Sequence, residues 1–184
     1  MRIISGRYKS RRLKGAPVAG IRPTSDKLKE TIFNVLGAEV QGSVFLDGCA
    51  GTGGIGIEAL SRGAQTVYFI EQSKKACRII RENLRSLGIQ EGYKILEMDL
   101  IKGLERCLRD GVHFDIAFLD PPYEHEDLHH VALEHFAGAP AGLLIIEHSK
   151  RKDLPDFAGG LEKIRSLVQG DARLAFYRRV RGPE

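Results

Sequence analysis

The stretch SVFLDGCAGTGGIGIEALSRG, residues 43–63, changes rhythm twice within twenty-one residues. Its first five residues hold the apolar run Val44-Phe45-Leu46 closed by Asp47, the pattern of a strand buried on both faces. The next run is glycine-rich. The remainder, IGIEALSRG, reads as a helix that ends at Gly63. A strand, a glycine loop and a helix in this order form the first unit of an α/β sheet.

The same alternation continues downstream. TVYFIE (66–71), YKILEMD (93–99), FDIAFLD (114–120) and GLLIIEHS (142–149) read as further buried strands. KKACRIIRENLRSLG (74–88), LIKGLERCLRDG (100–111) and HEDLHHVALEHF (125–136) read as the intervening helices. The last segment, LEKIRSLVQGDARLAFYRRV (161–180), holds Gln169-Gly170-Asp171 between two β-prone runs and predicts a hairpin. Ahead of this body, residues 1–14 predict a short strand, a Ser-Gly turn and a second strand. Residues 22–37 predict a helix opened by Pro23 and Thr24 and closed by Gly37. The expected division is residues 1–37, a basic hairpin and helix that bind substrate, and residues 38–184, the α/β domain.

Ligands of open parallel sheets bind beyond the carboxyl ends of the strands. Those ends carry Asp47, Glu71, Asp99, Asp120 and Glu147. A buried carboxylate is costly without a partner. For Asp99 taken alone, capping of the next helix explains the residue; the set together with a glycine loop points to a ligand. Gly51-Thr52-Gly53-Gly54-Ile55-Gly56 fits G-x-G-x-x-G, and Glu71 ends the following strand where it can bind two ribose hydroxyls. That pattern serves dinucleotides and S-adenosylmethionine alike. The absence of Lys-Ser/Thr after the glycines excludes a P-loop. Asp47 favours S-adenosylmethionine, because a carboxylate before the loop attracts an ammonium and repels a pyrophosphate. Asp99 then suits the adenine amine and Leu100 the adenine face.

Asp120-Pro121-Pro122-Tyr123 ends the fourth strand. Proline donates no ladder hydrogen bond, so the strand stops there. An amino group conjugated to an aromatic ring is a poor nucleophile. A carboxylate and the Pro121 carbonyl can accept its two hydrogens and aim its lone pair at an electrophilic methyl group. Pro122 holds the turn rigid, and Tyr123 can stack on a flat base.

Length and composition set the remaining bounds. The chain has 184 residues, 42% of them apolar, which is enough for a single core. No apolar run reaches the ~20 residues of a membrane span, and the amino-terminal segment lacks the apolar stretch of a signal peptide. Cys49, Cys77 and Cys107 are odd in number and widely spaced, as expected of reduced thiols in a cytoplasmic protein. Net charge is +4, but residues 1–22 hold Arg2, Arg7, Lys9, Arg11, Arg12, Lys14 and Arg22 and no acid. Arg7, Lys9, Arg11, Arg12 and Arg22 are the expected phosphate contacts of a nucleic acid. His125-Glu126-Asp127-Leu128-His129 fits H-E-x-x-H, with His135 beyond it. Ala132 replaces the turn glycine of zinc proteases, so no metal is expected.

These motifs resemble a known family. DPPY (120–123) looks like the fourth motif of class I amino-group methyltransferases, and residues 46–64 resemble their first. RIISGRYKSRRLKG, RPTSDKLKETIFNVL and GDARLAFYRR are similar to the bacterial enzymes that methylate the N2 of a guanine in 16S ribosomal RNA, over nearly the whole chain. The resemblance implies a Rossmann-like, mostly parallel seven-stranded sheet whose last strand is antiparallel. It also implies S-adenosylmethionine as cofactor and the small ribosomal subunit or an assembly intermediate as partner; a monomer is expected. The sequence departs at Gly48-Cys49, where the family carries bulkier apolar residues, and looser packing behind the loop is the expectation. On DPPY alone, adenine N6 of DNA and a protein glutamine amide stay open as targets. The glycine loop alone leaves an NAD-dependent oxidoreductase open, and the basic termini alone a non-catalytic RNA-binding module.

Overall fold

A computed structural model describes residues 1–15, 25–121, 127–138, 141–151 and 153–180. Val44–Gly48 (β1) is flanked by Thr66–Ile70 (β2) on one side and Phe114–Leu119 (β4) on the other, both parallel to it. Tyr93–Leu96 (β3) continues the sheet beyond β2, and Ala141–Ser149 (β5) continues it beyond β4, again parallel. The chain therefore winds outward in both directions from β1 and β4. The crevice between their carboxyl ends is the topological switch point where such sheets bind ligands.

The terminal hairpin forms as expected: Leu161–Gln169 (β7) and Ala172–Arg179 (β8) turn through Gly170 at φ 63°. β8 inserts between β5 and β7, antiparallel to both. Among the described residues the sheet has eight strands rather than seven, in the order β3-β2-β1-β4-β5-β8-β7-β6. The additional strand, Phe157–Ala158 (β6), is two residues pairing with the start of β7. Its brevity explains why it gives no periodic signal.

Both faces of the sheet are covered. Asp26–Leu36 (α1), Gly54–Ser61 (α2) and Lys74–Ser86 (α3) pack over one face, against Phe45, Val67, Phe69, Ile116, Phe118 and Ile145. Leu100–Arg109 (α4) and Asp127–Gly138 (α5) pack over the other, against Leu46, Ile70, Ala117, Leu119 and Ile146. Ser25 caps α1 by accepting the Leu28 N–H at 3.1 Å. The helix thus starts later than the Pro23-Thr24 signal suggests; those two residues lie outside the described ones. Gly37 ends it at φ 53°, where a Cβ would be strained. No described helix is long and apolar enough to cross a membrane.

The two amino-terminal strands do not form. Residues 1–14 make a loop closed by one antiparallel bridge, Arg2 with Arg12, and by the Ile3 N–H on the Arg11 carbonyl at 3.0 Å. The Ser10 N–H donates to the Ile3 carbonyl and the Leu13 N–H to that of Met1, and several other backbone groups turn to α2. Buried Glu58 accepts the N–H groups of Ile4 (2.8 Å) and Ser5 (3.0 Å), and Ser61 Oγ accepts that of Tyr8 (3.0 Å). Ile3 and Leu13 are buried in the same core as α1 and the sheet.

The expected loosening at Gly48 does not occur. A Cβ there would lie 2.3 Å from Leu119 Cδ2 and 3.0 Å from Leu100 Cδ1, so those leucines fill the space a larger residue would take.

Glu58 also accepts from Arg62 Nε at 2.8 Å. Glu58→Ala would strand a cation and two backbone N–H groups. It should destabilise the fold by roughly 3 kcal/mol in urea unfolding and expose residues 1–14 to limited proteolysis. An unchanged digestion pattern would mean that the loop is held by Ile3 and Leu13 alone.

Candidate active site

The loop from β1 to α2 turns on left-handed backbone: Cys49 has φ 59°, Gly51 54° and Gly53 79°. Glycine adopts this region freely; a non-glycine residue such as Cys49 is uncommon there. The loop is tied at both ends. The Ala50 N–H donates to the Ile70 carbonyl at 3.0 Å and the Gly53 N–H to that of Ala50 at 2.8 Å. At Gly56, the third motif glycine, a Cβ would fall 2.3 Å from the Phe69 ring, so α2 rests on β2 only because no side chain intervenes.

Two carboxylates of the predicted set hold this loop. Asp47 Oδ2 accepts the Gly56 N–H at 2.8 Å, satisfying one of the free donors in the first turn of α2. Glu71 Oε2 accepts the Gly51 N–H at 2.8 Å, while its Oε1 accepts that of Ser73 at 2.7 Å. Both side chains are buried. Burial pushes the Asp47 carboxyl up to about 8; Glu71 adds to the rise and the Gly56 N–H opposes it. Asp47 is therefore mainly protonated near neutral pH, which weakens the repulsion of a pyrophosphate that its position suggests.

Asp120 follows β4, and its N–H reaches the Gly48 carbonyl across the switch point at 3.3 Å. Its carboxyl is raised well above the usual carboxylate range by burial, then by the charges of Glu147 and Asp47. Pro121 is buried behind it. Pro122 and Tyr123, like Arg22, lie outside the described residues. The Cys49 thiol is also pushed up, by burial first and then by Asp120, Glu71 and Asp47. The structure thus brings Asp47, Glu71 and Asp120 together around Cys49, at the carboxyl edge of the sheet, with Glu147 beside Asp120.

Asp99 behaves differently. It caps α4, accepting the Lys102 N–H at 3.0 Å and pairing with Lys102 Nζ at 3.1 Å. The Lys102 N–H holds its carboxyl low against the opposing effect of desolvation. Its side chain is 40% exposed. Leu100 is buried on the opposite face, against Gly48. Thr52 is buried in the loop, and its carbonyl accepts from Asn83 Nδ2 at 3.2 Å.

Arg7, Lys9, Arg11 and Arg12 are all exposed on the loop docked to α2 and α3. Arg11 reaches the Ser86 carbonyl at 3.2 Å, and the Arg7 guanidinium lies 5.5 Å from the Tyr8 ring centre. His125 and Glu126 lie outside the described residues. The His129 ring packs edge-on to His148 at 6.2 Å, and that of His135 to Phe136 at 6.1 Å. Among the described residues no group of three His, Cys, Asp or Glu is placed to hold a metal.

The fold is that of a Rossmann-like class I methyltransferase. The family described as Conserved hypothetical protein 95 matches residues 1–178, and the chain belongs to it. "Putative rRNA methyltransferase YlbH" of Bacillus subtilis is 35% identical over 182 residues, 97% of this chain and 99% of its own. "Ribosomal RNA small subunit methyltransferase D" of Haemophilus influenzae is 36% identical over 159 residues, 84% of this chain and 81% of its own. Among solved structures, hypothetical protein TTHA0928 of Thermus thermophilus matches with a TM-score of 0.82 at 26% identity, covering 98% of this chain and 99% of that one.

The Asp47 carboxyl carries a pH signature. Unfolded, it titrates at its ordinary value of 3.8; folded, at about 8. Between those values the folded protein keeps a proton that the unfolded chain has released, so stability falls as pH rises, by at most ~1.4 kcal/mol per unit. Asp47→Asn lacks this loss. Its stability relative to wild type should therefore climb from pH 5 to pH 8 in urea unfolding. A constant difference would place Asp47 in the ionised form throughout.

Proposed function

We propose that the protein transfers a methyl group from S-adenosylmethionine to the exocyclic N2 of a guanine in 16S ribosomal RNA, of the guanine-966 type. The observation that carries this reading is the placement of Asp120 and Pro121 directly across the switch point from the glycine loop. The names of the relatives from Bacillus subtilis and Haemophilus influenzae support ribosomal RNA as the substrate.

The residues present fit the cofactor. Left-handed turns at Gly51 and Gly53 let a ligand approach the backbone. The buried carboxylates of Asp47 and Glu71 face a cationic ligand with favourable charge, and a bound cation would draw the Asp47 proton off. Each Glu71 oxygen has a lone pair left after its backbone bond, enough to accept a ribose hydroxyl. Asp99 and Leu100 are assigned to the adenine, Thr52 to the loop wall. When bound, S-adenosylmethionine supplies an electrophilic methyl group on a sulfonium.

The protein's own groups then position the acceptor. Asp120 and the Pro121 carbonyl accept the two hydrogens of the guanine amine, which leaves its lone pair free to attack. Pro122 fixes the direction of that carbonyl, and Tyr123 stacks on the base at ~1–3 kcal/mol. A carboxylate whose affinity for protons is raised is also the better proton acceptor once the amine has become cationic. Arg7, Lys9, Arg11, Arg12 and Arg22 hold RNA phosphates.

Asp120→Ala should slow single-turnover methylation of small-subunit particles by at least ~10²-fold, with S-adenosylhomocysteine affinity within a few-fold of wild type. Glu71→Ala should weaken that affinity more than tenfold. An active Asp120→Ala enzyme would sink this mechanism. In wild type the rate should rise with pH above the ordinary carboxylate range, because the raised Asp120 carboxyl must ionise before it can accept a proton.

Replacing Arg7, Lys9, Arg11 and Arg12 by Ala should weaken RNA binding and flatten its salt dependence, by ~0.7 in log–log slope for each phosphate no longer neutralised. Cofactor affinity should hold. An unaltered slope would make the basic front a solubility device.

A further inference from the structure

The apolar face of α3 carries Cys77, Ile80 and Leu84, and among them one polar residue, Asn83, with no exposed surface. Its amide makes three hydrogen bonds in two directions. Oδ1 accepts the Lys14 N–H at 2.8 Å; Nδ2 donates to the Lys14 carbonyl at 3.1 Å and to the Thr52 carbonyl at 3.2 Å. The bonds fix the orientation of the amide, since an N–H must meet the oxygen and two carbonyls must meet the nitrogen. Lys14 closes the basic loop just after Arg11 and Arg12, and Thr52 is the middle of the glycine loop. One buried side chain therefore joins the backbone of the basic loop to the backbone of the cofactor loop.

A second fastening runs in parallel. Glu58 and Ser61 on α2 hold residues 4–8, and a Cβ at Gly54, the first residue of α2, would meet Met1 Sδ at 2.5 Å. These contacts seat the loop on the helix. Among the described residues, Asn83 is the side chain whose hydrogen bonds join that loop to the Thr52 turn.

We propose that Asn83 is a positioning residue that couples RNA binding on residues 7–14 to cofactor binding at Gly51–Thr52–Gly53. This rests on the functional reading above. RNA held by Arg7, Lys9, Arg11 and Arg12 further restrains the loop ending at Lys14, already seated on α2 and α3. Asn83 transmits that restraint to the Thr52 carbonyl, so the cofactor turn is ordered before its ligand arrives. Coupling of this kind is reciprocal: the cofactor tightens RNA binding by the same factor.

The test is equilibrium dialysis of labelled S-adenosylhomocysteine against the full-length protein, with and without saturating small ribosomal subunits that lack the methyl group. Wild type should bind the ligand at least roughly fivefold more tightly with particles present. Asn83→Ser should bring that ratio below about twofold. Because a buried substitution can unfold the chain, Lys14→Pro weakens the same link from the surface: it removes the N–H that Asn83 accepts and keeps the carbonyl. It should lose the coupling too. Lys14→Ala keeps both backbone bonds and should keep the ratio, although it gives up one charge.

Retained coupling in Asn83→Ser or in Lys14→Pro overturns the proposal and leaves Asn83 a packing residue. A wild-type ratio near one, with both ligands bound, also overturns it while the methyltransferase reading stands. Failure of wild type to bind particles or S-adenosylhomocysteine at all would remove that reading, and this inference with it.

Discussion

A parallel strand buried on both faces sends successive side chains to opposite layers, and this alternation decides where every functional group of the protein lies. Phe45, Phe69, Phe118 and Ile145 point to the layer of α1, α2 and α3. Two residues further along each chain stand Asp47, Glu71, Asp120 and Glu147. The same alternation that builds the apolar core therefore delivers four carboxyl groups to one face, at one edge, beside the start of α2. His148, one residue out of step, goes to the other layer and packs against His129 of α5. The histidine pair and the carboxyl cluster are thus separated by the thickness of the sheet.

Gathering carboxyl groups in this way works against stability, and the protein limits the cost by hydrogen bonding and by protonation. Asp47 and Glu71 accept backbone N–H groups of the glycine loop and of the turn before α3, so each performs a structural task in the absence of any ligand. The same bonds give the loop its shape, because the donors would otherwise be unpaired ends of the helix and turn. Asp47 and Asp120 respond to burial by holding protons. A cationic ligand would relieve what remains. The cluster is thus both the frame of the loop and the source of its electrostatic preference.

The strand, loop and helix pattern was legible from residue 43 onward because buried strands and amphipathic helices are local and periodic. The end of the chain was legible through its Gln-Gly-Asp turn. What escaped sequence reading is what depends on distant partners. Residues 1–14 contain β-prone Ile3 and Ile4 and read as strands, but pairing stops at Ile3, and the N–H groups of Ile4, Ser5 and Tyr8 go to Glu58 and Ser61 on α2, more than fifty residues away. Asp99 was legible as a cap, and caps α4. Asn83 had a visible signal, a polar residue on the apolar face of a helix, that only a buried partner could justify. Glu147 was legible as a strand-end carboxylate, but its closeness to Asp120 depends on β5 pairing with β4 in register, which no local pattern reveals.

The two charged features of the molecule share the α1–α3 layer with opposite sign. The basic loop lies on the solvent side of α2 and α3, and the carboxyl cluster lies beneath α2 at the sheet edge. Opposite charges on one layer would attract and collapse if both were mobile. They stay apart because backbone bonds to Glu58, Ser61 and Asn83 seat the loop, while Arg2, Arg11 and Lys14 reach only surface groups of α1 and α3. Glu58 and Asn83 thus leave the guanidinium groups of Arg7 and Arg12 free of the buried acids, and Arg62 is the basic side chain that pairs with Glu58. Basic side chains exposed on a seated loop present phosphate-binding charge at a lower entropy cost than a free tail would pay. On the proposed reading, this is why the basic front of the sequence is folded onto the cofactor helix.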